Sequence, residues 1–185
     1  MTFKKLSIVG AAVALSLASF GSIADNNGVV NFVGSVVDSP CNIADESLNQ
    51  TVKFGEISRV FLEQGNERER AFTIKLEQCN FDKFKKDENG DWLPVKTMKI
   101  QFDGRSYADA TNTLLATDRK TKANNVGIAI DSYKFGEATD ILTKMRNKQG
   151  TNVLEFTALA KAVDASKEVK EGEFSAIADF RISYE

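Results

Sequence analysis

The C-terminal segment, residues 172–185, alternates apolar and polar side chains and constrains the fold more than any other part of the chain. Its apolar positions are Phe174, Ala176, Ala178, Phe180, Ile182 and Tyr184, and only Ile177 interrupts the polar positions between them. A period of two predicts a strand with one apolar and one solvent-facing side. No turn or further strand follows. One reading is therefore an ordinary last strand paired on both sides, and the other is a strand whose open edge pairs with another chain.

Residues 1–24 have the composition of a secretory signal peptide. Lys4 and Lys5 precede an apolar run that extends to Ala18, and small residues stand at the two positions read before a cleavage after Ala24. The run is too short to span a membrane, and no other segment approaches the roughly 20 apolar residues that a span requires. We therefore expect an exported chain.

The length and net charge of the chain limit the class of protein that it can be. Residues 25–185 suit one domain that is long enough to bury a core. The formal net charge of the whole chain is −2, so there is no basic surplus for nucleic acid. We therefore expect no nucleic-acid partner.

Cys41 and Cys79 are the two cysteines of the chain, which contains no histidine. In an exported protein an even pair of cysteines is most simply one disulfide. Closing such a loop stabilises a fold by roughly 3–4 kcal/mol in the chain-entropy model. The alternative of a reactive thiol or a zinc ligand has little support, because two isolated cysteines without histidine cannot form a usual zinc site.

The body of the chain reads as all-β, since short runs rich in Val, Ile, Phe and Thr recur with turn residues between them. We predict strands near residues 30–37, 51–54, 71–77, 97–102, 126–132, 153–163 and 174–184. About seven strands in one domain predict an immunoglobulin-like sandwich.

Nothing in the sequence indicates catalysis or a cofactor. The absence of histidine removes the commonest general base, and no nucleophile elbow, phosphate-binding loop or dinucleotide motif is present. Residues 87–91 begin like a calcium loop, but Trp92 stands where the loop needs glycine and Met98 where it needs glutamate. We interpret this stretch as a solvated turn, with no metal.

Residues 25–39 form an unusual start to the exported chain. Fully extended they would reach about 50 Å, well beyond an ordinary strand. Gly28, Val30, Phe32 and Gly34 share one face by parity, although valines also occur on the other face. A first strand explains part of this pattern, and a segment that pairs with a neighbouring molecule explains all of it.

Taken in order, these features resemble the pilin subunits of chaperone–usher fimbriae, in particular the type 1-like fimbrial family. The resemblance covers residues 25–185. It rests on Gly28 and Phe32, Cys41, the run Val52-Lys53-Phe54-Gly55, the spacing Phe72-x-Ile74-x-Leu76-x-x-Cys79, the run from Asn124 to Ile128, and the closing Gly172-x-Phe174 and Tyr184. In that family a glycine stands fourteenth from the C-terminus and a tyrosine is penultimate.

The resemblance implies an all-β, incomplete immunoglobulin-like sandwich (residues 40–185) that lacks its C-terminal strand and is completed by a donated strand. A periplasmic chaperone would lend a strand first. At an outer-membrane usher the extension (residues 25–39) of the next subunit would replace it, which builds a cell-surface fimbria from neighbouring pilins. The implied donor residues are Gly28, Val30, Phe32 and Gly34, and the implied groove residues are Gly172, Phe174, Ala176, Ala178, Phe180, Ile182 and Tyr184. Cys41 and Cys79 would tie the first strand to the second.

One segment departs from the family pattern, and two other functions stay open. Residues 83–92 are longer and more charged than the usual connection, which indicates an exposed loop on the fibre, a minor subunit, or a contact with a particular chaperone or usher. An exported sandwich of this kind could instead be a stand-alone carbohydrate-binding domain. It could also be a self-complemented one, in which residues 25–39 fold back into their own groove.

Overall fold

The computed structural model describes residues 28–117 and 125–185 of the chain. It forms two compact units, with the division between Val36 and Val37. The predicted signal peptide, its cleavage site and the first three residues of the extension lie outside the described residues.

In the first unit, residues 28–36 contain no helix or strand. Val30 is 73% and Phe32 is 90% exposed. The strand predicted over residues 30–37 is therefore wrong for this chain by itself. A β-strand needs a partner for its backbone N–H and C=O groups, and an isolated extended segment leaves them to water.

The described residues of the second unit form ten strands, two short α-helices and one 3₁₀ helix. In chain order these are β1 (Asn42–Ile43), α1 (Asp45–Leu48), α2 (Arg59–Glu63), β2 (Arg68–Asn80), β3 (Lys85–Lys86), β4 (Trp92–Leu93), β5 (Met98–Gly104), β6 (Leu115–Ala116), β7 (Val126–Ile130), β8 (Ala138–Asp140), the 3₁₀ helix (Leu142–Lys144), β9 (Gln149–Ala162) and β10 (Ala178–Tyr184).

Two sheets pack face to face as a sandwich. The larger has the strand order β1-β2-β9-β7-β6 and the smaller has the order β10-β5-β8, while β3 and β4 form a separate hairpin. Every pairing among the described strands is antiparallel. The buried core draws on both sheets through Ile74, Leu76, Leu154, Phe156, Met98, Ile100 and Phe102. The predicted all-β, immunoglobulin-like class is confirmed.

Most of the predicted strands occur close to their expected positions. The predictions near residues 71–77, 97–102, 126–132 and 153–163 correspond to β2, β5, β7 and β9. The strand predicted at residues 51–54 is wrong, since that stretch has no strand hydrogen bonding, and β10 begins at Ala178 rather than at Phe174. Both departures lie at the edges of the two sheets, where a strand-like sequence has no partner.

The predicted disulfide joins Cys41 to Cys79, with the two Cα atoms 4.1 Å apart. Both residues are buried. Cys41 directly precedes β1 and Cys79 lies near the end of β2. The bond therefore fixes the first strand of the domain to the second, as predicted.

The long strand β2 separates two ends of the sandwich. Its 13 residues span about 40 Å at roughly 3.3 Å each. At its start, the Arg68 guanidinium lies 5.9 Å from the Phe61 ring of α2. Leu62 of α2 also belongs to a small buried cluster with Val126 and Val169. We call this region, residues 59–68 with 163–174, the α2 end.

The opposite end holds the β3–β4 hairpin and the start of the domain. The backbone N–H of Asn80 donates to the carbonyl of Pro40 (2.8 Å), and that of Phe84 donates to the carbonyl of Leu93 (2.9 Å). We call this region, residues 38–41 with 80–95, the hairpin end. The two ends of β2 therefore place Cys41 and α2 at opposite ends of the second unit.

Candidate functional site: the open edge of strand β10

Strand β10 is an edge strand of the smaller sheet. It pairs with β5 over seven residues, from Ala178 opposite Gly104 to Tyr184 opposite Met98. None of the described strands pairs with its other side. An antiparallel strand points alternate backbone groups to either side, so this free side presents N–H and C=O groups to a further strand.

The apolar face of β10 is half-buried rather than fully covered. Phe180, Ile182 and Tyr184 pack against the core but remain partly accessible, while the polar residues between them are exposed. By contrast, Ile100 on the paired strand β5 is completely buried. The core is therefore unfinished along β10, as the alternation in the sequence predicts for a strand with one apolar face.

Residues 39–57, which include β1 of the larger sheet, line the other side of this unfinished core. At the α2 end, the rings of Phe54 and Phe174 lie 5.9 Å apart. At the hairpin end, the Ser39 side chain lies close enough to the Tyr184 hydroxyl to lower the pKa of that hydroxyl. Because contacts occur at both ends, the edge formed by residues 39–57 runs alongside β10 and the segment before it. We call the seam between these two edges the groove.

Tyr184 closes the hairpin end of the groove. Its ring lies 6.3 Å from that of Phe81 and 6.1 Å from that of Phe84. Burial raises the pKa of the Tyr184 hydroxyl, and the nearby Ser39 side chain partly opposes this rise. The Tyr184 hydroxyl is therefore uncharged at neutral pH, and the ring borders the groove at this end.

Residues 51–57 run beside β2 but do not form a strand with it. Side chains replace the backbone ladder here: Arg70 donates from Nε to the Lys53 carbonyl (3.1 Å) and from Nη2 to the Phe54 carbonyl (3.0 Å). Gln50 donates to the Thr73 carbonyl (2.9 Å). An open cleft of about 370 Å³ remains between the two segments, lined by residues 50–53 and 70–73. The backbone of residues 51–57 is thus held in place while most of its ladder groups stay unpaired with β2.

The predicted groove residues fall into two groups. Phe174, Ala176, Phe180, Ile182 and Tyr184 are half-buried and pack against the core. Gly172 and Ala178 are exposed. Gly172 has φ +147°, a conformation that glycine adopts far more readily than other residues, and it lies at the bend that leads into the final segment.

The predicted donor residues lie in the separate first unit. Gly28 and Gly34 have no atoms within 4 Å of the position a Cβ would occupy. Val30 and Phe32 are strongly exposed. Exposed apolar side chains on a segment without secondary structure are the expected state of a donor strand without its acceptor. The assignment of these four residues remains a prediction.

Sequence reasoning missed the residues that line the groove opposite β10. Ile43, Phe54 and Ile57 pack half-buried against the core, and Phe81 and Phe84 flank Tyr184. Phe54 falls in the strand predicted at residues 51–54, and none of the other four residues belongs to a period-two pattern long enough to mark a strand. The run of aromatic residues after the second cysteine was the one available signal for Phe81 and Phe84.

The described residues contain no group of three or more acidic, histidine or cysteine side chains that could hold a metal ion. At the calcium-loop-like stretch, Asp87 accepts hydrogen bonds from the backbone N–H groups of Asn89 (2.9 Å) and Asp91 (2.8 Å). That carboxylate therefore closes a turn of the hairpin. Within residues 28–117 and 125–185 we also find no helix long and apolar enough to cross a membrane.

The fold and its open edge define an immunoglobulin-like sandwich that lacks one strand. The chain belongs to the fimbrial protein family, whose model matches residues 30–185. It is therefore a structural fimbrial subunit of a cell-surface pilus, and the family is not one of enzymes.

Related fimbrial proteins match along nearly the whole chain. Fimbria A protein of Serratia marcescens is 36% identical over 183 residues, covering 96% of this chain and 97% of its own. The Pap fimbrial major pilin protein of Escherichia coli is 32% identical, covering 97% and 98%. The similarity thus includes the segment before the domain as well as the domain.

Two solved structures are similar in fold. A chaperone–usher pilus solved to explain rod uncoiling has a TM-score of 0.68 and 31% identity, and covers 89% of this chain and 99% of that one. The P pilus rod subunit PapA has a TM-score of 0.61 and 29% identity, covering 80% and 100%. The incomplete sandwich predicted from the sequence therefore agrees with both structures.

Proposed function

We propose that this pilin polymerises by donor-strand exchange, in which residues 25–39 of one subunit enter the groove of another. The observation that carries the proposal is the state of β10. One of its sides is paired with β5, its other side is free of the described strands, and its apolar face is half-buried. A single added strand would satisfy the free backbone groups and finish the core at once.

The extension has the properties that such a strand needs. No proline interrupts residues 25–39, so each residue can donate a backbone N–H. β10 has seven residues, and the stretch from Gly28 to Gly34 has the same length. The pairing is therefore possible over the whole of β10.

Side chains on one face of the extension supply the selectivity. Val30 and Phe32 would enter the groove, and burying each contributes roughly 1.5–3 kcal/mol. Gly28 and Gly34 on the same face would lie where the groove is shallow. A glycine at either end could give the incoming strand a place to begin displacing a strand already bound.

The donor segment and the groove are different surfaces of one molecule. Their contact is heterologous and leaves one free donor and one free groove at the ends of every oligomer, so it builds a filament. Neighbouring subunits are therefore the main partners. An extension that folded back into its own groove would give a stable monomer instead.

The open groove also implies assembly partners. A half-exposed apolar face beside a free strand edge is a hazard for aggregation before polymerisation. We infer that a periplasmic chaperone covers β10 with one of its own strands. An outer-membrane usher would then exchange that strand for the extension of the next subunit.

The test compares two substitutions in the extension of the exported chain. Phe32→Asp places a charge on the face that enters the groove, and Val33→Asp places the same charge on the opposite face. Both positions are at least 90% exposed in the free subunit, so neither change disturbs a core. We expect Phe32→Asp to abolish fibres seen by electron microscopy and Val33→Asp to preserve them.

A second measurement separates the alternatives. Phe32→Asp subunits should remain able to accept, so adding a peptide of residues 25–39 should raise their denaturant midpoint. If the unaltered chain is a stable monomer that ignores the peptide, it is self-complemented and the proposal fails. Equal fibre formation by both variants would also contradict it.

A further inference from the structure

The β3–β4 hairpin carries exposed apolar side chains that have no role in the groove. Trp92 is 49% and Leu93 is 40% exposed. The Lys86 ammonium lies 5.0 Å from the centre of the Trp92 ring. Trp92 is the single tryptophan of the chain, and neither it nor Leu93 belongs to the buried core. An exposed tryptophan beside a cation is a common element of protein interfaces.

The hairpin lies where the extension joins the domain. The Lys85 ammonium is 3.9 Å from the Asp38 carboxylate. Phe84, at the base of the hairpin, packs against Tyr184, whose hydroxyl lies near the Ser39 side chain. The chain therefore enters the domain beside β3 and β4, at the hairpin end.

The direction of the donated strand decides which end of the acceptor this hairpin meets. All pairings among the described strands are antiparallel, and the missing strand of an immunoglobulin-like sheet runs antiparallel to its neighbour. A donor antiparallel to β10 leaves the groove near Ala178, which lies toward the α2 end. From Gly34 to Asp38 the chain then reaches about 13 Å at roughly 3.3 Å per residue. The hairpin end of the donor must therefore lie close to the α2 end of the acceptor.

We propose that each subunit packs the Trp92 face of its β3–β4 hairpin against the α2 end of the preceding subunit, a second copy of this chain. The inference rests on the donor-strand exchange proposed above. It adds a contact between the domains themselves, which would fix the angle between successive subunits. This contact would give a role to residues 83–92, the segment that departs from the family pattern.

The α2 end carries groups that complement this face. Val60 of α2 is 49% exposed, so it offers an apolar contact for Trp92. Glu168, Glu171 and Glu173 are exposed at the same end. They can pair with Lys86, which lies opposite Trp92 on β3, since the acidic residues of the hairpin lie in its turn, beyond the paired strands.

The single tryptophan allows a direct test in a dimer of full-length exported chains. The donor is the unaltered chain with its own groove filled by a peptide of residues 25–39. The acceptor carries Val30→Asp and Phe32→Asp, so it cannot donate, and Trp92→Phe, so it is silent in tryptophan fluorescence. We expect dimer formation to shift the donor's Trp92 emission to shorter wavelength and to reduce its quenching by acrylamide, relative to the peptide-filled donor alone.

The reciprocal dimer is the matched control. Here the donor carries Trp92→Phe and the acceptor retains Trp92, whose hairpin lies at the free end of the dimer. We expect its emission and quenching to stay unchanged. A dimer in which the donor's Trp92 keeps its free emission and quenching, or in which both tryptophans respond alike, overturns the hairpin contact and leaves strand exchange intact. If no dimer forms, donor-strand exchange fails, and the hairpin contact fails with it.

Discussion

Phe54 and Phe174 face each other across the groove with ring centroids 5.9 Å apart and planes inclined at 47°. Phe54 lies on the edge that precedes β2, and Phe174 lies on the segment that leads into β10. No backbone ladder joins the two edges among the described residues. A contact between two half-buried side chains therefore links these two edges at the α2 end.

This contact predicts an energetic coupling between the two rings. Phe54→Ala and Phe174→Ala should each lower the free energy of unfolding by about 1–2 kcal/mol, less than the 3–5 kcal/mol typical of fully buried phenylalanines. The double variant should lose less than the sum, by about 0.5–1.5 kcal/mol. Urea unfolding of the four proteins measures this. Phe54→Ala combined with Phe84→Ala, at the hairpin end, is the control and should be additive. A coupling of zero between Phe54 and Phe174 would show that the contact contributes nothing.

The disulfide predicts a large loss of stability on its removal. Replacing Cys41 and Cys79 together by serine should lower the free energy of unfolding by roughly 3–4 kcal/mol, because the unfolded chain regains the freedom of the closed loop. Denaturant midpoints at equal slopes measure the difference. The reduced unaltered protein should match the double variant. A midpoint that did not change would mean that the bond constrains a segment already ordered in the unfolded state.

Asp109 predicts an acid-dependent contribution to stability. Burial acts to raise the pKa of this carboxyl, but hydrogen bonds from the Thr111 and Thr113 hydroxyls and from two backbone N–H groups outweigh it and hold the pKa well below its ordinary value of 3.8. A lowered folded-state pKa stabilises the protein above pH 3.8, and this stabilisation disappears as the pH falls below that value.

Asp109→Asn should therefore destabilise the protein at pH 7, and its difference from the unaltered chain should shrink as the pH falls below about 3.8. Urea unfolding at a series of pH values tests this. Glu88→Gln, at the exposed turn of the hairpin, serves as control and should differ little from the unaltered chain at any pH. A constant difference for Asp109→Asn across the series would remove the ionised carboxylate as its cause.

We expect substitutions at two adjacent residues of β10 to differ in their effect on the affinity for a donor peptide. Ile182 is half-buried in the groove wall, and Ser183 is exposed on the other face. Ile182→Ala should weaken the binding of a donor peptide (residues 25–39) by about 2 kcal/mol, which is roughly thirtyfold in Kd, since the filled groove buries this side chain. Ser183→Ala should leave the Kd unchanged. Titration calorimetry on both variants checks this, and equal affinities would place the donor strand away from the β10 face.

The sequence predicted the parts of the fold whose side-chain pattern is local. The period of two in β2, β5, β9 and β10 identified strands, because the side chain of each second residue faces one side of a sheet. Cys41 and Cys79 were paired correctly because an exported chain with two cysteines leaves one simple choice. The half-burial of the apolar positions from Phe174 to Tyr184 followed from the same alternation.

Whether the segments at the edges of the sheets form strands could not be predicted from their own residues. Residues 30–37 and 51–54 have strand-like composition but form no strand, because a strand requires a neighbour that composition cannot specify. The β3–β4 hairpin, residues 85–93, lacked a recognisable strand pattern, since each of its strands contains two residues. Its packing on Tyr184 depends on residues far apart in the chain.

The sequence by itself determined the all-β class, the disulfide and the two apolar faces, since each of these depends on residue type and short spacing. Tertiary structure decided which edge stayed open. It placed β5 against one side of β10 and left the other side to be filled, and it brought Ser39, Phe54, Phe81 and Phe84 to the borders of the groove. Strand pairing is a contact between distant segments, so which edge remains open depends on how the whole domain closes.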